Sequence, residues 1–220
     1  MDRAVAIMMA ATNHPSTLNE LCETTGLPRA TTHRLATALE AHRILTRTAD
    51  GKWGAGPALP GNRDRIIETA GPIMEELLEA TGESVQLYEL SGTTRTCIAT
   101  REPEFGLHNV VPVGRQLPLT SGSAARIFAA FGDVHVADAL FSERDVELAR
   151  ENGYSESIEE RESNLASVSA PVFDGAGTFI AVLSVSGSAD RFRASPADKF
   201  ASVLVAASKR LTAALSNDGA

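Results

Sequence analysis

The sequence predicts an α+β protein with an N-terminal winged helix-turn-helix, a linker helix and a C-terminal sensor domain of the GAF or PAS kind. Three observations predict this fold. Helical patterns separated by a tight glycine turn fill residues 2–42, an Asp-Gly hairpin signal follows, and strand and helix patterns mix from Gly82 onward. We therefore expect a head at 1–60, a linker helix at 61–80 and a body at 81–220.

The composition excludes several classes of protein. The 220 residues are 43% hydrophobic and 22% charged, an ordinary balance for a folded domain. Two cysteines, Cys22 and Cys97, are too few for a disulfide framework, so we expect a reducing, cytoplasmic compartment. No apolar run approaches the roughly 18 residues of a membrane span, so we expect no membrane partner.

The charge is distributed unevenly along the chain. A net charge of −8 argues against generic binding to a polyanion. Residues 26–53, however, hold five basic and two acidic side chains, whereas residues 61–220 hold 14 basic and 23 acidic ones. The pattern is compatible with a small DNA-reading head on an acidic body.

Three helices are predicted in the head. The first covers about residues 2–12, where Val5, Met8, Met9 and Thr12 recur at helical spacing. The second starts at a capping box of Thr17 and Glu20 and stops at Gly26, which suits a left-handed cap. The third covers 29–42. Its expected inward residues are Ala30, Leu35, Ala38 and Leu39.

The third helix is predicted to read DNA. Two helices joined by a tight glycine turn form a helix-turn-helix, whose second helix enters the major groove. Arginine binds guanine with two hydrogen bonds, and threonine and histidine reach base edges or phosphates. A solvated face on a small helical bundle remains the alternative. The expected contacts on this helix are Arg29, Thr31, Thr32, His33 and Arg34.

A hairpin after the third helix predicts a wing. Residues 44–47 and 52–53 flank Asp50-Gly51, a strong signal for a tight hairpin. On this wing Arg47 and Lys52 are expected to contact phosphates, and Thr17 joins the predicted DNA contacts. We expect Trp53 to pack under the wing rather than stack on a base.

At this point the head resembles the IclR family of regulators. Residues 18–21 (LNEL), 25–28 (TGLP) and 31–35 (TTHRL) are similar to the family pattern "L-x-E-L…T-G-L-P-x-S-T-x-x-R-L". His33 stands where the family usually has an aromatic or similar residue, and Gly54 replaces a larger wing residue. These departures affect the expected sequence preference and not the expected fold.

The linker helix is predicted at about 63–79, interrupted and kinked at Gly71-Pro72. A long apolar stripe beside a linker usually needs a partner, so we expect a homodimer or a dimer of dimers that presents two heads to two half-sites. Packing on the body of the same chain is the alternative. The stripe consists of Ile66, Ile67, Ala70, Ile73, Met74, Leu77 and Leu78.

The body is predicted to combine paired strands with helices. Strands are expected at 84–88, 95–99, 165–172 and 179–186, and helices at 124–131, 143–152 and 196–215. The resemblance to the IclR family continues here, in 81–84 (TGES), 113–119 (VGRQLPL), 167–174 (SVSAPVFD) and 183–187 (LSVSG). Residues 86–88, Cys97 and 111–114 further resemble the subgroup that regulates leucine and tryptophan biosynthesis, the LtbR/NdgR type.

An effector site follows from chemistry and from the resemblance. The helix start at Gly122, Ser123 and Ala124 offers amides to an anion, and Ser184 and Ser186 share one strand face. The resemblance implies a pocket for small carboxylates or aromatic compounds, with no cofactor. It adds Leu165 and Ser167, the latter at a position where many relatives carry cysteine. Serines that satisfy their own backbone are the alternative.

Catalysis and metal binding are not expected. A Gly-x-Ser-x-Gly elbow and a phosphate loop are both absent from the sequence, and the five histidines share no ligand spacing. The remaining alternative function is a metabolite-binding module whose head contacts proteins instead of DNA. A cluster of acids is interpreted as a solvated face, with paired carboxylates as the alternative; it consists of Glu156, Glu159, Glu160 and Glu162.

Overall fold

A computed structural model describes residues 2–48, 51–56, 58–106, 108–132 and 134–217. The chain divides into two compact units, one formed by residues 1–68 with 176–178 and the other by 69–175 with 179–220. The boundary at 68/69 falls inside the region predicted as the linker helix. The expected architecture of a helical head followed by an α+β body is confirmed.

The first unit contains three helices and a two-stranded hairpin. They are α1 (Asp2–Asn13), α2 (Leu18–Thr25), α3 (Arg29–Ala41), β1 (Leu45–Arg47) and β2 (Trp53–Ala55). The strands pair antiparallel, and Trp53 also exchanges two backbone hydrogen bonds of 2.8 Å with Ser16. The core of the unit consists of Ile7, Ala11, Leu21, Ala36, Leu45 and Trp53.

Helix α1 is present where predicted, but the residues whose spacing predicted it do not form its buried face. Val5 and Met9 are 42% and 56% exposed, and Ile7 and Ala11 are fully buried instead. The stretch 4–11 is apolar at every position, so its hydrophobic pattern does not fix which side of the helix faces the core.

Both predicted ends of α2 are confirmed. The Thr17 hydroxyl accepts from the Glu20 amide, and the Glu20 carboxylate accepts from the Thr17 amide at 2.7 Å. Gly26 has φ +67°, which provides the left-handed C-terminal cap. The two caps fix where α2 begins and ends, and therefore where the turn into α3 starts.

Thr48, which follows β1, and Gly51 shape the turn of the hairpin. The Thr48 amide and hydroxyl both contact Lys52, and Gly51 has φ +78°. Asp50 of the predicted turn and Pro57 lie outside the described residues. After β2, a Cβ on Gly56 would stand 2.3 Å from the Arg43 carbonyl oxygen, so this position accepts only glycine without rearrangement.

The linker helix α4 (Pro60–Thr81) is longer than predicted and continues through Pro72, so the predicted interruption is wrong. Ile66, Ala70, Met74 and Leu77 are buried within the single chain, which supports intrachain packing for this part of the stripe. Ile67, Ile73 and Leu78 are only half-buried.

The second unit is built on a six-stranded antiparallel sheet. The strands lie in the order β5-β4-β3-β8-β7-β6. Their bounds are β3 (Ser84–Ser91), β4 (Thr94–Arg101), β5 (Gln116–Pro118), β6 (Ser155–Ile158), β7 (Leu165–Phe173) and β8 (Phe179–Ser188). The helices are α5 (Ser123–Phe131), α6 (Glu143–Asn152), α7 (Ala189–Phe192) and α8 (Pro196–Asn217).

Helices α5 and α8 both contact strands β7 and β8, and α6 contacts α5. The sequence predicted β3, β4, β7, β8, α5, α6 and α8 but missed β5, β6 and α7, which are three or four residues long. In the described part of the chain, no helix combines the length and hydropathy that a membrane crossing needs.

Candidate functional site

The exposed face of α3 carries polar side chains of the predicted contact set. Arg29, His33 and Arg34 are exposed, and Thr31 is half-buried. The Arg29 guanidinium donates to the Asn19 side-chain oxygen. The side chains of His33 and Arg34 have no hydrogen bond or ion pair with any other residue that the structure describes. Both side chains are therefore available to an external partner.

Thr32 is not part of this face, and its predicted contact with DNA is wrong. Its side chain is fully buried, and its hydroxyl donates to the Pro28 carbonyl oxygen at 3.2 Å. The inward face of α3 includes Thr32 and Ala36, whereas Ala30 and Ala38, predicted to be inward, are exposed. Alanine and threonine occur on both the buried and the exposed face of α3, so the pattern left the rotation of the helix undetermined.

The wing holds Arg47 against its own surface. The guanidinium lies 3.7 Å from the centroid of the Trp53 ring and donates to the Gly51 carbonyl oxygen at 2.9 Å. Glu40 lies 4.0 Å away, a loose pair because both side chains are about two-fifths exposed. Trp53 is buried under the wing, as predicted. Lys52 is half-buried.

Thr17 serves mainly as a helix cap. Its hydroxyl oxygen accepts from the Glu20 amide at 3.3 Å and is exposed to solvent. The hydrogen bond from the Thr17 amide, followed by that from its hydroxyl, lowers the pKa of the Glu20 carboxyl. Lys52 contributes to this shift through its charge.

A cavity in the second unit brings together all the residues predicted for the effector. It lies between the start of α5 and strands β7 and β8. The predicted lining residues are Gly122, Ser123, Ala124, Leu165, Ser167, Ser184 and Ser186. The sequence analysis missed five others, which are Tyr88, Arg95, Asn109, Ser157 and Arg161.

Serine hydroxyls form a continuous chain of hydrogen bonds along the cavity. Ser123 Oγ lies 2.7 Å from both Ser167 Oγ and Ser169 Oγ, and Ser169 Oγ donates to Ser184 Oγ at 2.9 Å. Ser157 Oγ lies 3.0 Å from Ser167 Oγ. The hydroxyls therefore bind chiefly one another rather than their own backbone.

Ser186 and Asn109 close the cavity on another side. Asn109 Nδ2 donates to Ser186 Oγ at 2.8 Å, and Arg161 Nη2 donates to Asn109 Oδ1 at 3.3 Å. The centre of a water molecule can reach only about 20 Å³ of the cavity. That is room for about one water molecule, so a larger ligand requires lining side chains to move.

The start of α5 is already bonded to acceptors of the same chain. The Gly122 amide donates to a Glu160 carboxylate oxygen at 3.1 Å, and the Ser123 amide donates to Ser157 Oγ at 3.0 Å. Glu160 also pairs with Arg126. Two amides that the sequence predicted for an external anion are therefore occupied.

Glu156 and Glu160 also correct the interpretation of the acidic cluster as a solvated face. Both side chains are partly buried and bound at the starts of helices. Glu156 accepts from the Ser195 hydroxyl and the Ala197 amide, both at 2.8 Å, at the start of α8. Glu160 does the same for α5. Glu159 and Glu162 are exposed.

Arg95 contributes a buried positive charge to the cavity wall. It extends from β4, and its guanidinium carbon lies 5.7 Å from the centroid of the Tyr88 ring. Burial lowers the pKa of Arg95 to about 10 and raises that of Tyr88 to about 12. At neutral pH Arg95 is therefore charged and Tyr88 is neutral. The period-two pattern of β4 was an overlooked signal, since it sets Arg95 on the same face as Cys97 and Ala99.

Neither a metal nor a reactive thiol is indicated. In the described ranges, no group of histidine, cysteine, aspartate and glutamate side chains is arranged to hold a metal ion. Burial raises the pKa of Cys97 to about 12, so its thiol stays protonated at neutral pH and is a poor nucleophile.

Comparisons with known proteins find one family along nearly the whole chain. The model described as the IclR helix-turn-helix domain matches residues 1–49. The model described as the bacterial transcriptional regulator IclR C-terminal region matches residues 62–149 and 142–213.

Among curated proteins, the chain is 27% identical over 215 residues to the HTH-type transcriptional regulator KipR of Bacillus subtilis, covering 86% of each chain. It is 25% identical over 219 residues to the transcriptional repressor AllR of Escherichia coli, covering 87% of this chain and 80% of that one.

Solved structures show the same fold. An IclR-family regulator from Rhodococcus sp. is 29% identical with a TM-score of 0.58, covering 99% of this chain and 92% of that one. An IclR homologue from Microbacterium hydrocarbonoxydans, solved in complex with 4-hydroxybenzoate, is 20% identical with a TM-score of 0.63 and covers 97% of both chains.

Proposed function

The chain belongs to the IclR family of DNA-binding transcriptional regulators, and on this premise we propose that it reads a specific operator with α3 and changes its DNA affinity when a small acid occupies the cavity. The observation that carries the proposal is the exposed face of α3, where His33 and Arg34 have no partner within the described chain. The named relatives are transcriptional regulators, so the chain is a regulator and not an enzyme.

In this proposal the polar side chains of the head divide into two roles. Arg34 and His33, aided by Arg29 and Thr31, read base edges in the major groove. Arg47 and Lys52 on the wing and Thr17 at the start of α2 contact phosphates and position the head. Arg47 must leave the Trp53 ring to do so, and the 43% exposure of its side chain permits this movement.

We assign the effector to the small carboxylates or amino-acid-like acids. The finer hypothesis is a compound of amino-acid metabolism, leucine included, and it rests on the resemblance of residues 86–88, Cys97 and 111–114 to regulators of leucine biosynthesis. The IclR homologue that binds 4-hydroxybenzoate, itself a carboxylate, supports the chemical class. Ser184, Ser186 and Ser167 supply hydroxyls that match the oxygens of such a compound.

We also propose a homodimer or a dimer of dimers in the cytoplasm. The half-buried residues Ile67, Ile73 and Leu78 leave apolar surface on α4 that a second copy would cover. Two heads would then read two half-sites. Sedimentation of the full chain tests this, and a monomer at micromolar concentration would contradict it.

Genome-wide mapping of the bound sites, followed by footprinting at those sites, tests the function. We expect protection of a defined sequence at nanomolar protein and a change in the protection when the effector is added. If the protein protects no sequence over a random competitor, the head does not read DNA. The alternative, a metabolite-binding module whose head contacts proteins, would then replace the proposal.

A further inference from the structure

Arg95 is a buried cation without an anionic partner. Its residue is 3% exposed, and Nη1 donates to the carbonyl oxygens of Pro118 at 2.7 Å and Ser121 at 3.1 Å. Nε has no acceptor among the described residues, and no described carboxylate pairs with the guanidinium. A buried charge and a buried donor without partners both cost free energy, so this arrangement favours the arrival of an anion.

The guanidinium borders the cavity. Arg95 and Gly122 are both lining residues, and Nη2 lies 3.5 Å from the point where a Cβ on Gly122 would stand. Arg161 lines the same cavity, and its charge contributes to the lowered pKa of Arg95. The wall of the cavity is therefore positive on this side.

The other anion-binding feature of the cavity is already used. Glu160 accepts from the Gly122 amide, and Ser157 accepts from the Ser123 amide. A ligand carboxylate at the start of α5 would have to displace a carboxylate of the chain that also pairs with Arg126. A ligand carboxylate at Arg95 would displace no carboxylate of the chain.

We propose that Arg95 binds the acidic group of the effector and thereby gives the cavity its preference for acids over neutral compounds. This inference rests on the proposed function of the cavity as the effector site. Ser184 and Ser186 line the same cavity, so their hydroxyls would bind a second polar group of the effector. The small free volume favours an acid with few heavy atoms.

Calorimetric titration of the full chain with acids and their neutral amides tests the inference. The probes are glycolate, lactate and 2-oxobutyrate, with glycolamide and lactamide as uncharged counterparts. We expect lactate to bind at least about tenfold more tightly than lactamide. Arg95→Gln should weaken lactate binding by about tenfold to a hundredfold and reduce the preference for the acid to within about twofold.

Two further variants control for folding and for general charge. Arg95→Lys keeps a cation and should retain the preference for the acid, with about tenfold weaker binding. Arg144→Gln, an exposed arginine of α6, should leave binding unchanged. If Arg95→Gln does not fold, as judged by circular dichroism, the comparison of acid with amide on the unaltered chain and on Arg95→Lys decides.

The outcomes separate this inference from the proposed function. Equal binding of acid and amide, full preference in Arg95→Gln, or no heat from any acid at about 10 mM would overturn the role of Arg95. Footprinting on the same preparations reports DNA recognition independently. A loss of protection contradicts the regulator's proposed mode of DNA reading and leaves the titration result standing.

Discussion

At the residue scale, exposure divides the polar side chains of α3 into two groups. His33 and Arg34 project into solvent, whereas Thr32 turns inward and bonds the Pro28 carbonyl oxygen. The division indicates that Thr32 stabilises the head, and it supports the proposed role of the other two in recognition. Residue type alone could not separate them, because a threonine suits a base edge and a helix interior almost equally well.

Replacement of Arg34 by alanine tests the recognition role. We expect operator binding to weaken by about 1–3 kcal/mol, the value of one bidentate base contact, with relaxed preference at one base pair. Lys52→Ala should weaken binding to all sequences about equally and reduce the slope of log K against log salt by about one. Gel-shift titrations on operator and random DNA measure both effects.

A matched control is Arg144→Ala, which removes an exposed charge from α6 in the second unit. It should leave both DNA affinities unchanged. Equal losses on operator and random DNA for Arg34→Ala would show that this side chain binds phosphate and would contradict its assignment to a base.

Two glycines near the hairpin predict opposite responses to the same substitution. A Cβ on Gly56 would stand 2.3 Å from the Arg43 carbonyl oxygen, whereas a Cβ on Gly54 would have ordinary contacts of 3.6 Å with Pro15 and Thr48. We expect Gly56→Ala to lower the free energy of unfolding by about 1–3 kcal/mol or more, as overpacking does. Gly54→Ala should be nearly neutral. Urea denaturation followed by tryptophan emission measures both, and similar losses would refute the steric argument.

At the element scale, local chemistry was more informative than hydrophobic pattern. The Thr17–Glu20 cap and the Gly26 stop were predictable because each depends on one or two side chains bonding nearby backbone. The rotation of α1 and of α3 about their axes was not predictable, because apolar or small residues lie on all sides of each helix. The short strand β5 was missed because it pairs only with β4, a distant partner that no local signal reveals.

The cap of α2 predicts a pH dependence of stability. Hydrogen bonds from Thr17 lower the pKa of the folded Glu20 carboxyl below 4.5. The stabilisation is therefore complete above the unfolded value and is lost as the pH falls through the folded value. The stability difference between the unaltered chain and Glu20→Gln should be constant from pH 7 to about 5.5 and disappear in acid.

Chemical denaturation at a series of pH values measures this difference. Glu23→Gln, an exposed change on the same helix, should show no such pH dependence. Thr17→Ala should lower the free energy of unfolding at pH 7 by about 0.5–2 kcal/mol, the usual value of a cap. A constant difference for Glu20→Gln down to pH 3 would contradict the argument.

At the scale of the whole molecule, the sequence predicted the two-part architecture and only part of the cavity. Glycine and serine positions were predictable from the helix start and from strand alternation. Arg95 and Glu160 were not, because their roles depend on β4 and on the segment after β6 meeting the start of α5. The burial of a charged side chain such as Arg95 results from the fold and is not visible in the sequence.

The two units, each with its own core, predict two unfolding steps. Scanning calorimetry of the full chain should resolve two transitions. A saturating small acid should raise the midpoint of one of them, by mass action on the unit that contains the cavity. The same acid concentration should raise that midpoint less in Arg95→Gln, because the variant binds the acid more weakly. A single transition shifted as a whole would show that the units unfold together.

Trp53 is the chain's one tryptophan, and the Arg47 guanidinium lies over its ring. An operator phosphate that attracts Arg47 would draw the guanidinium away from the indole ring. The emission intensity of Trp53 should therefore change as the complex forms. With this change, Trp53 emission would report whether DNA is bound to the head. Titration with unlabelled DNA would then give the affinity from the emission change, and Arg47→Ala should abolish that change.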